Sequence, residues 1–170
     1  DGAKLPGKIN AAPPPFSTAA VSAHANAAEV AGFMRSVLKR NNIDNKGGRL
    51  VSVVNAVVKA DSTDGRQWFN AFWDGRQMVY GQADYKGKLR SPAASLDVVA
   101  HELFHGVTES TAQLVYEMES GALNESYSDI FGTLISNDAI KSVDGWNWLI
   151  GDGLSSGLVA FRSMKDPTLY

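Results

Sequence analysis

The chain has 170 residues, a net charge of −2 at pH 7 and no cysteine. This length favours one domain, or part of a larger protein, with enough chain to bury a core. The mixed charges give no basic patch for nucleic acid or an anionic membrane, no apolar run approaches membrane-spanning length, and disulfide bonds are excluded. We therefore expect no nucleic-acid partner and no membrane partner.

The first part of the chain predicts an irregular lead-in followed by one helix. Residues 1–17 contain four of the six prolines, which favours irregular structure. Apolar residues recur at helical spacing over residues 18–40, and the polar, glycine-containing stretch that follows is typical of a helix end. His24 has small apolar neighbours in this helix, so we interpret it as a structural histidine rather than a metal ligand.

The next part predicts strands of a small sheet. Residues 49–60 are rich in valine, and residues 67–73 and 77–80 flank an Asp-Gly pair that is typical of a hairpin. We interpret the aromatic side chains of these strands as sheet core rather than as a binding surface. Residues 82–94 are expected to form a polar loop that leads into the next helix.

The sequence HELFH, which runs from His101 to His105, lies in a predicted helix with Ser95 as its cap and Asp97 in its first turn. Positions i and i+4 of a helix share a face, so both imidazoles can reach one ion. Zn²⁺ prefers such nitrogen ligands, and Glu102 would then be the base that takes a proton from water. The alternative is two histidines aligned by accident, but a shuffled chain with three histidines and six glutamates would show the full pattern, with the glutamate after the first histidine, only about one time in a thousand.

A second helix, predicted over residues 120–135, offers the ligand that two histidines leave missing. Glu125 could complete the site, and Asp129 could accept the outer N–H of a ligating histidine. Taken alone, the two acids could equally be an ordinary solvated pair. The other face of this helix is a predicted apolar stripe made of Leu123, Tyr127, Ile130, Phe131 and Leu134.

HELFH, followed by Glu125 twenty residues after His105, resembles the thermolysin-like neutral metallopeptidases. The resemblance is dense over residues 66–167. It includes NAFWDGRQMVYG (70–81), SLDVVAHELFHGVTESTAQLVYEMESGALNE (95–125), SDIFGTL (128–134) and FRSMKDP (161–167). The metzincin proteases are excluded, because Thr108 and Thr111 stand where their pattern requires glycine and histidine.

The resemblance implies an α+β fold: a twisted, mostly antiparallel sheet with a zinc-binding helix and a crossing glutamate-bearing helix. It implies a zinc-binding N-terminal domain over residues 18–170, with the family's helical C-terminal domain absent from this chain. The expected function is secreted zinc endopeptidase, cutting on the amino side of large apolar residues of a peptide or protein substrate.

The resemblance also implies roles for individual residues. Zn²⁺ would be held by His101, His105 and Glu125, with Glu102 as the base. Tyr116 would donate to the developing oxyanion. Asn124 and Asp129 would fix the ligating imidazoles. The substrate-binding residues would be Asn70 and Ala71 on an edge strand, Arg162 at a carbonyl oxygen, and Leu89, Val98, Ile150 and Phe161 around an apolar pocket.

The chain departs from the family pattern in two places. Only Asp97 and Asp152 remain of the carboxylate cluster that holds calcium in thermolysin-type enzymes, so we expect calcium binding to be weak. No histidine follows His105, whereas the family's C-terminal half donates one to the cleft. The alternative function is therefore a non-catalytic or impaired zinc-binding half that needs a partner or the C-terminal domain. A purely structural zinc domain is disfavoured, because no fourth protein ligand is evident.

Overall fold

The computed structural model describes residue 5 and residues 7–9, 17–62, 64–154 and 160–169, so most of the predicted lead-in lies outside the described residues. The helices are α1 (Thr18–Ser36), α2 (Leu96–Ser110) and α3 (Met118–Ser136). The strands are β1 (Ser52–Ala56), β2 (Trp68–Trp73), β3 (Met78–Tyr85), β4 (Lys88–Arg90), β5 (Leu149–Ile150) and β6 (Arg162–Ser163).

α1 ends earlier than the predicted range of 18–40, because the backbone leaves the helical region soon after Ser36. Lys39 has a φ of 53°, and the Arg40 N–H bonds back to the Met34 carbonyl at 2.9 Å. His24, which we interpreted as structural, is exposed on the surface of α1. The inner face of α1 packs against α2 and β1 through Ala23, Ala27, Val30 and Met34.

The main sheet has the order β1-β3-β2, with β4 also paired to β3. The β2–β3 and β3–β4 pairs are antiparallel, as are β5 and β6, whereas β1 runs parallel to β3. The long valine-rich strand that we predicted over 49–60 is reduced to β1. The pairing with β3 shifts register between Val53 and Ala56, and Asn55 has a φ of 61°, so the ladder is interrupted there.

The predicted loop over residues 82–94 is wrong in its first half. β3 continues to Tyr85 and returns as β4, with Asp84 opposite Leu89. Lys86 and Gly87 make the two-residue turn with φ of 48° and 76°, which matches the twist of a hairpin. The sequence signal was weak, because lysine is not a usual residue at a left-handed turn position.

α2 begins where we predicted, but Ser95 does not cap it with its side chain. The Ser95 hydroxyl instead donates to the carboxylate of Asp97. Asp97 is buried, and its Oδ1 also accepts the Val98 N–H at 2.6 Å, while its Oδ2 accepts the Gly151 N–H at 3.0 Å. Asp97 therefore ties the start of α2 to the β5 region.

α3 buries a different face from the one that hydropathy predicts. Leu123, Tyr127 and Ile130 are 43%, 43% and 42% exposed. The buried side is polar and small instead, with Gly121, Asn124, Ser128, Asp129, Gly132, Thr133 and Ile135 turned inward. Phe131 does reach the core, where its ring stacks on Phe104 with centroids 4.1 Å apart. Because the buried face of α3 is largely polar, the distribution of polar and apolar residues along the sequence does not identify which face is exposed.

A short connection over residues 111–117 folds α3 back onto α2. Gln113 and Met118 take left-handed backbone angles in and after it, with φ of 51° and 46°. The two helices consequently pack against each other along α2, from Asp97 in its first turn to His105. In the part of the chain that the structure describes, no helix has the length and apolar character needed to cross a membrane.

Candidate active site

Three side chains from α2 and α3 converge on one point. His101 Nε2 and His105 Nε2 lie 3.0 Å apart, one turn from each other on α2. Glu125 enters from α3, with Oε2 3.3 Å from His101 Nε2 and Oε1 3.5 Å from His105 Nε2. The structure thus brings together the three residues that the sequence predicts as metal ligands.

This donor set fits Zn²⁺. Ligand atoms 2.0–2.2 Å from a tetrahedral ion stand roughly 3.3–3.6 Å apart, close to the three separations observed here. Nitrogen and carboxylate oxygen are also ligands that zinc accepts. His101, Glu102 and His105 can each offer one atom within 4.8 Å of the others, so the α2 residues alone already form a potential metal cluster.

The outer nitrogens of both imidazoles face acceptors on α3. His101 Nδ1 lies 2.7 Å from Asp129 Oδ1, and His105 Nδ1 lies 2.7 Å from Asn124 Oδ1. The Ser128 hydroxyl lies 3.2 Å from the same His105 nitrogen and is fully buried. Occupied outer nitrogens leave each Nε2 free to offer its lone pair inward. Ser128 was missed by sequence reasoning, although its place one turn after Asn124 could have indicated it.

The charges of the site suit a cation. Burial lowers the pKa of His101, but the carboxylates of Asp129 and Glu125 outweigh burial and raise the pKa to about 9. The hydrogen bond from His101 lowers the pKa of Glu125 to about 2. Burial lowers the pKa of His105. Without metal, a proton on His101 therefore supplies the positive charge that the carboxylates require.

Glu102 lies beside the ligands without joining the closest set. Its Oε2 is 4.0 Å from His105 Nε2. Burial raises the pKa of Glu102 to about 7, with the charge of His101 and a hydrogen bond from the Trp73 backbone acting in the opposite direction. A carboxyl group that titrates near neutral pH can both accept and return a proton.

Tyr116 reaches the site from the α2–α3 connection. Its ring meets His105 edge-on with centroids 5.9 Å apart, and its hydroxyl donates to Glu125 Oε1. This hydrogen bond raises the pKa of Tyr116 to about 12. The Tyr116 side chain is 62% exposed, so it is not a core residue, although an aromatic residue is often buried in the core. An exposed, protonated phenol at the rim is able to donate to a substrate.

Arg162 is held by Asp129 rather than standing free. Its Nε and Nη2 lie 2.8 and 2.6 Å from the two oxygens of that carboxylate. Asp129 thus bridges Arg162 and His101, which fixes the guanidinium next to the metal ligands. The two-point geometry leaves the other N–H groups of Arg162 available to a substrate carbonyl.

A cleft of about 760 Å³ runs past these groups. Asn70 and Ala71 line it from β2, which is an edge strand of the main sheet, and Arg162 lines it from β6. Three of the four predicted pocket residues, Val98, Ile150 and Phe161, also line the cleft.

Leu89 is the exception among the predicted pocket residues. It does not line the cleft, because the β3–β4 hairpin holds it opposite Asp84 at the far end of β3, where it is 64% exposed. The prediction for Leu89 is therefore corrected. Glu109 and Leu114, which sequence reasoning did not single out, line the cleft as well.

The two remaining candidate calcium ligands are not alike. Asp97 is buried, and burial raises its pKa although three donors contact it. Asp152 is exposed, and its Oδ2 accepts the Asn147 side-chain amide at 3.1 Å. Most of the acceptor capacity of Asp97 is already used by backbone and hydroxyl donors.

Comparison with known families decides the assignment. A family model described as thermolysin metallopeptidase, catalytic domain, matches residues 7–109. The chain belongs to the thermolysin metallopeptidase family. A second model, thermolysin metallopeptidase, alpha-helical domain, matches residues 112–170, within the range for which we expected the zinc-binding domain alone. The predicted metal ligands are thus divided between the two matches, with the histidines in the first and Glu125 in the second.

Named relatives agree with the family. The chain is 44% identical over 153 residues to neutral protease NprE of Bacillus pumilus, covering 89% of this chain and 45% of the relative. It is 45% identical over 157 residues to bacillolysin of Brevibacillus brevis, covering 89% and 26%. The structure of the precursor of protealysin, a metalloproteinase from Serratia proteamaculans, superposes with a TM-score of 0.80 at 36% identity, over 97% of this chain and 51% of that one. The chain therefore spans less than half the length of these two curated relatives.

Proposed function

We propose that this chain carries the zinc centre of a metalloendopeptidase, with His101, His105 and Glu125 as ligands. The observation that supports the proposal most directly is the convergence of two imidazole Nε2 atoms and one carboxylate within 3.0–3.5 Å. Asp129 and Asn124 orient the imidazoles from behind, and Ser128 assists Asn124 at His105. Any calcium would bind weakly through Asp97 and Asp152.

The zinc ion, when bound, supplies a Lewis acid for the scissile carbonyl and for the attacking water. Glu102 takes the proton from that water and passes it to the leaving amine, so it acts first as base and then as acid. The Tyr116 hydroxyl donates a hydrogen bond to the substrate carbonyl oxygen as that oxygen becomes negative. To do so, the hydroxyl must first break its hydrogen bond to Glu125. Arg162, held by Asp129, binds a carbonyl oxygen of the substrate.

The substrate is proposed to be an extended peptide that adds to the open edge of β2 at Asn70 and Ala71. Val98, Ile150 and Phe161 then receive a large apolar side chain just after the cleaved bond. The proteins in which this centre operates are proposed to be secreted, as neutral proteases of this family are.

A cleavage assay on a fluorogenic peptide with leucine after the scissile bond tests the proposal. We expect turnover that a chelator abolishes and zinc restores, and we expect Glu102→Gln to keep the zinc and lose about 10²–10⁴-fold in rate. Equal rates for Glu102→Gln and the parent, at matched zinc occupancy, would place the base elsewhere.

A second candidate function is a zinc-binding half that requires more protein for full activity. The stripe of Leu123, Tyr127 and Ile130 on α3 is exposed, and such a stripe favours a covering partner. Comparing this chain with a full-length family member at equal zinc occupancy separates the two candidates.

A further inference from the structure

Glu109 lies in the cleft, yet the proposed mechanism does not use it. It stands two turns beyond Glu102 on α2, is exposed and contributes to the cleft wall. Its Oε2 accepts the indole N–H of Trp73 at 2.9 Å. Gly75 lies beside the same carboxylate, since a Cβ added there would be 3.7 Å from Oε1. The indole of Trp73 thus holds an exposed carboxylate in position at the cleft wall.

The proposed apolar pocket and Glu109 lie near opposite ends of β2. Phe69, near the start of β2, meets Phe161 edge-on with ring centroids 6.2 Å apart. Trp73, at the end of β2, contacts Glu109. If the residue after the cleaved bond enters the pocket at Phe161, the residues before that bond lie toward Trp73 and Glu109.

The distance between Glu102 and Glu109 along α2 determines which substrate residue can lie near Glu109. Seven residues separate it from Glu102, which places it roughly 10 Å further along α2. An extended peptide advances about 3.3 Å per residue, so a substrate that ran along α2 would place its second or third residue before the cleaved bond opposite Glu109.

The charge of Glu109 is not neutralised by the protein. Among the described residues, its one polar contact is the Trp73 indole, and no lysine or arginine pairs with it. Arg162, the cation of the cleft, lies beside Asp129 near the opposite end. The end of the cleft at Trp73 therefore carries a carboxylate that forms no ion pair, and such a group attracts a cationic side chain.

We propose that Glu109 and Trp73 form a subsite that favours lysine or arginine two or three residues before the cleaved bond. This inference rests on the proposed peptidase function. Glu109 acts on substrate choice, and the chemistry at Glu102 does not depend on it. An exposed charge pair contributes little, so we expect a preference of about two- to fivefold that decreases with added salt.

The test measures peptide binding to the zinc-loaded Glu102→Gln protein, so that binding is read without turnover. Peptides with leucine after the scissile bond carry lysine, norleucine or glutamate at each of the three preceding positions. Norleucine has nearly the length of lysine without its charge. We expect one position at which lysine binds about two- to fivefold tighter than norleucine and glutamate binds weaker.

Second-site variants in the same background assign the effect. Glu109→Gln should remove the lysine preference, and Glu109→Lys should reverse it in favour of glutamate. Glu119→Gln, which removes an exposed carboxylate outside the cleft on α3, should change nothing. Cleavage by the parent protein, compared for the same peptides, should follow the same order through KM.

The outcomes are distinguishable. Peptides that bind or are cut with no charge preference, or with a preference that survives Glu109→Gln, overturn this inference and leave the peptidase function standing. Absence of both binding and cleavage for every peptide contradicts the peptidase function, and this inference falls with it.

Discussion

Gly132 of α3 lies directly against the backbone of Asp97 in α2. A Cβ at Gly132 would stand 2.8 Å from the Asp97 carbonyl oxygen, which is closer than such atoms approach. The same Cβ would lie 3.6 Å from the Cβ of His101. The absence of a side chain at this one position therefore lets the two helices come close enough for Glu125 and Asp129 to meet the histidines.

Gly132→Ala should accordingly separate α3 from α2. We expect a loss of about 1–3 kcal/mol in the free energy of unfolding, together with weaker zinc binding, because backbone rather than a flexible side chain must move. Gly32→Ala is the matched control, since nothing lies within 4 Å of its Cβ in α1 and alanine is the better helix former. Denaturant titration and zinc titration of both variants check this; equal stability of both would contradict it.

Asp129→Ala should weaken zinc binding by roughly 10–100-fold, because His101 loses the acceptor 2.7 Å from its outer nitrogen. It should also release Arg162 from its two-point contact. Competition with a chelating dye measures the affinity. Asp138→Ala removes an exposed acid just beyond α3 and serves as the control. An unchanged affinity in Asp129→Ala would exclude it as the orienting group.

Zinc binding should release protons at pH 7. His101, with a pKa of about 9, is protonated in the metal-free protein at that pH, whereas Glu125, with a pKa of about 2, is already ionised. Zinc must displace the proton, so we expect release of about one proton and an apparent affinity that rises with pH up to about 9. Calorimetry in buffers of different ionisation enthalpy counts the protons.

Asp129→Asn tests the cause of this protonation, because it removes one of the three carboxylates, those of Asp129, Glu125 and Glu102, that raise the pKa of His101. Fewer protons should then be released at pH 7. A binding enthalpy that is the same in every buffer would contradict a protonated His101.

Calcium should stabilise the protein little. The oxygens of Asp97 already accept hydrogen bonds from Ser95, Val98 and Gly151, so Asp152 is the exposed carboxylate of the pair. A dissociation constant of millimolar order or above gives at most about 0.4 kcal/mol at 1 mM calcium, from RT ln(1 + [L]/Kd). Thermal melting with calcium, with magnesium at equal ionic strength as control, measures this. A saturable increase above about 2 kcal/mol that Asp152→Asn abolishes would overturn it.

The candidate metal site could be predicted from the sequence because the spacing of its residues follows helix geometry. His101 and His105 share a face whatever surrounds them, and Glu125 and Asp129 do the same on α3. Their meeting across two helices was not readable from spacing, and only the family resemblance indicated it. Gly132, which permits the close approach, carries no periodic signal at all.

The burial of α3 shows where hydropathy fails. The periodic pattern of Leu123, Tyr127 and Ile130 is real, but the opposite face is buried because its polar groups bond to imidazoles. Ser128 and Glu109 escaped notice for a related reason: one is a small residue and the other a surface acid, and contact geometry alone gives them a role. Leu89 was misplaced because the hairpin turn at Lys86 and Gly87 has no strong sequence signature.

The connection over residues 111–117 has a dynamic consequence. With histidines before it and Glu125 after it, a bound ion would close a ring through that segment. It would add to the packing and to the imidazole contacts with Asn124, Ser128 and Asp129 that already join the two helices. Slow amide hydrogen exchange in α3 should therefore depend on the ion, while exchange in α1, which contributes no ligand, should not. A single proteolytic cut in this connection should leave α2 and α3 together while the ion is bound. Once the ion is removed, the cut protein should lose α3 from α2 more readily than the intact protein does.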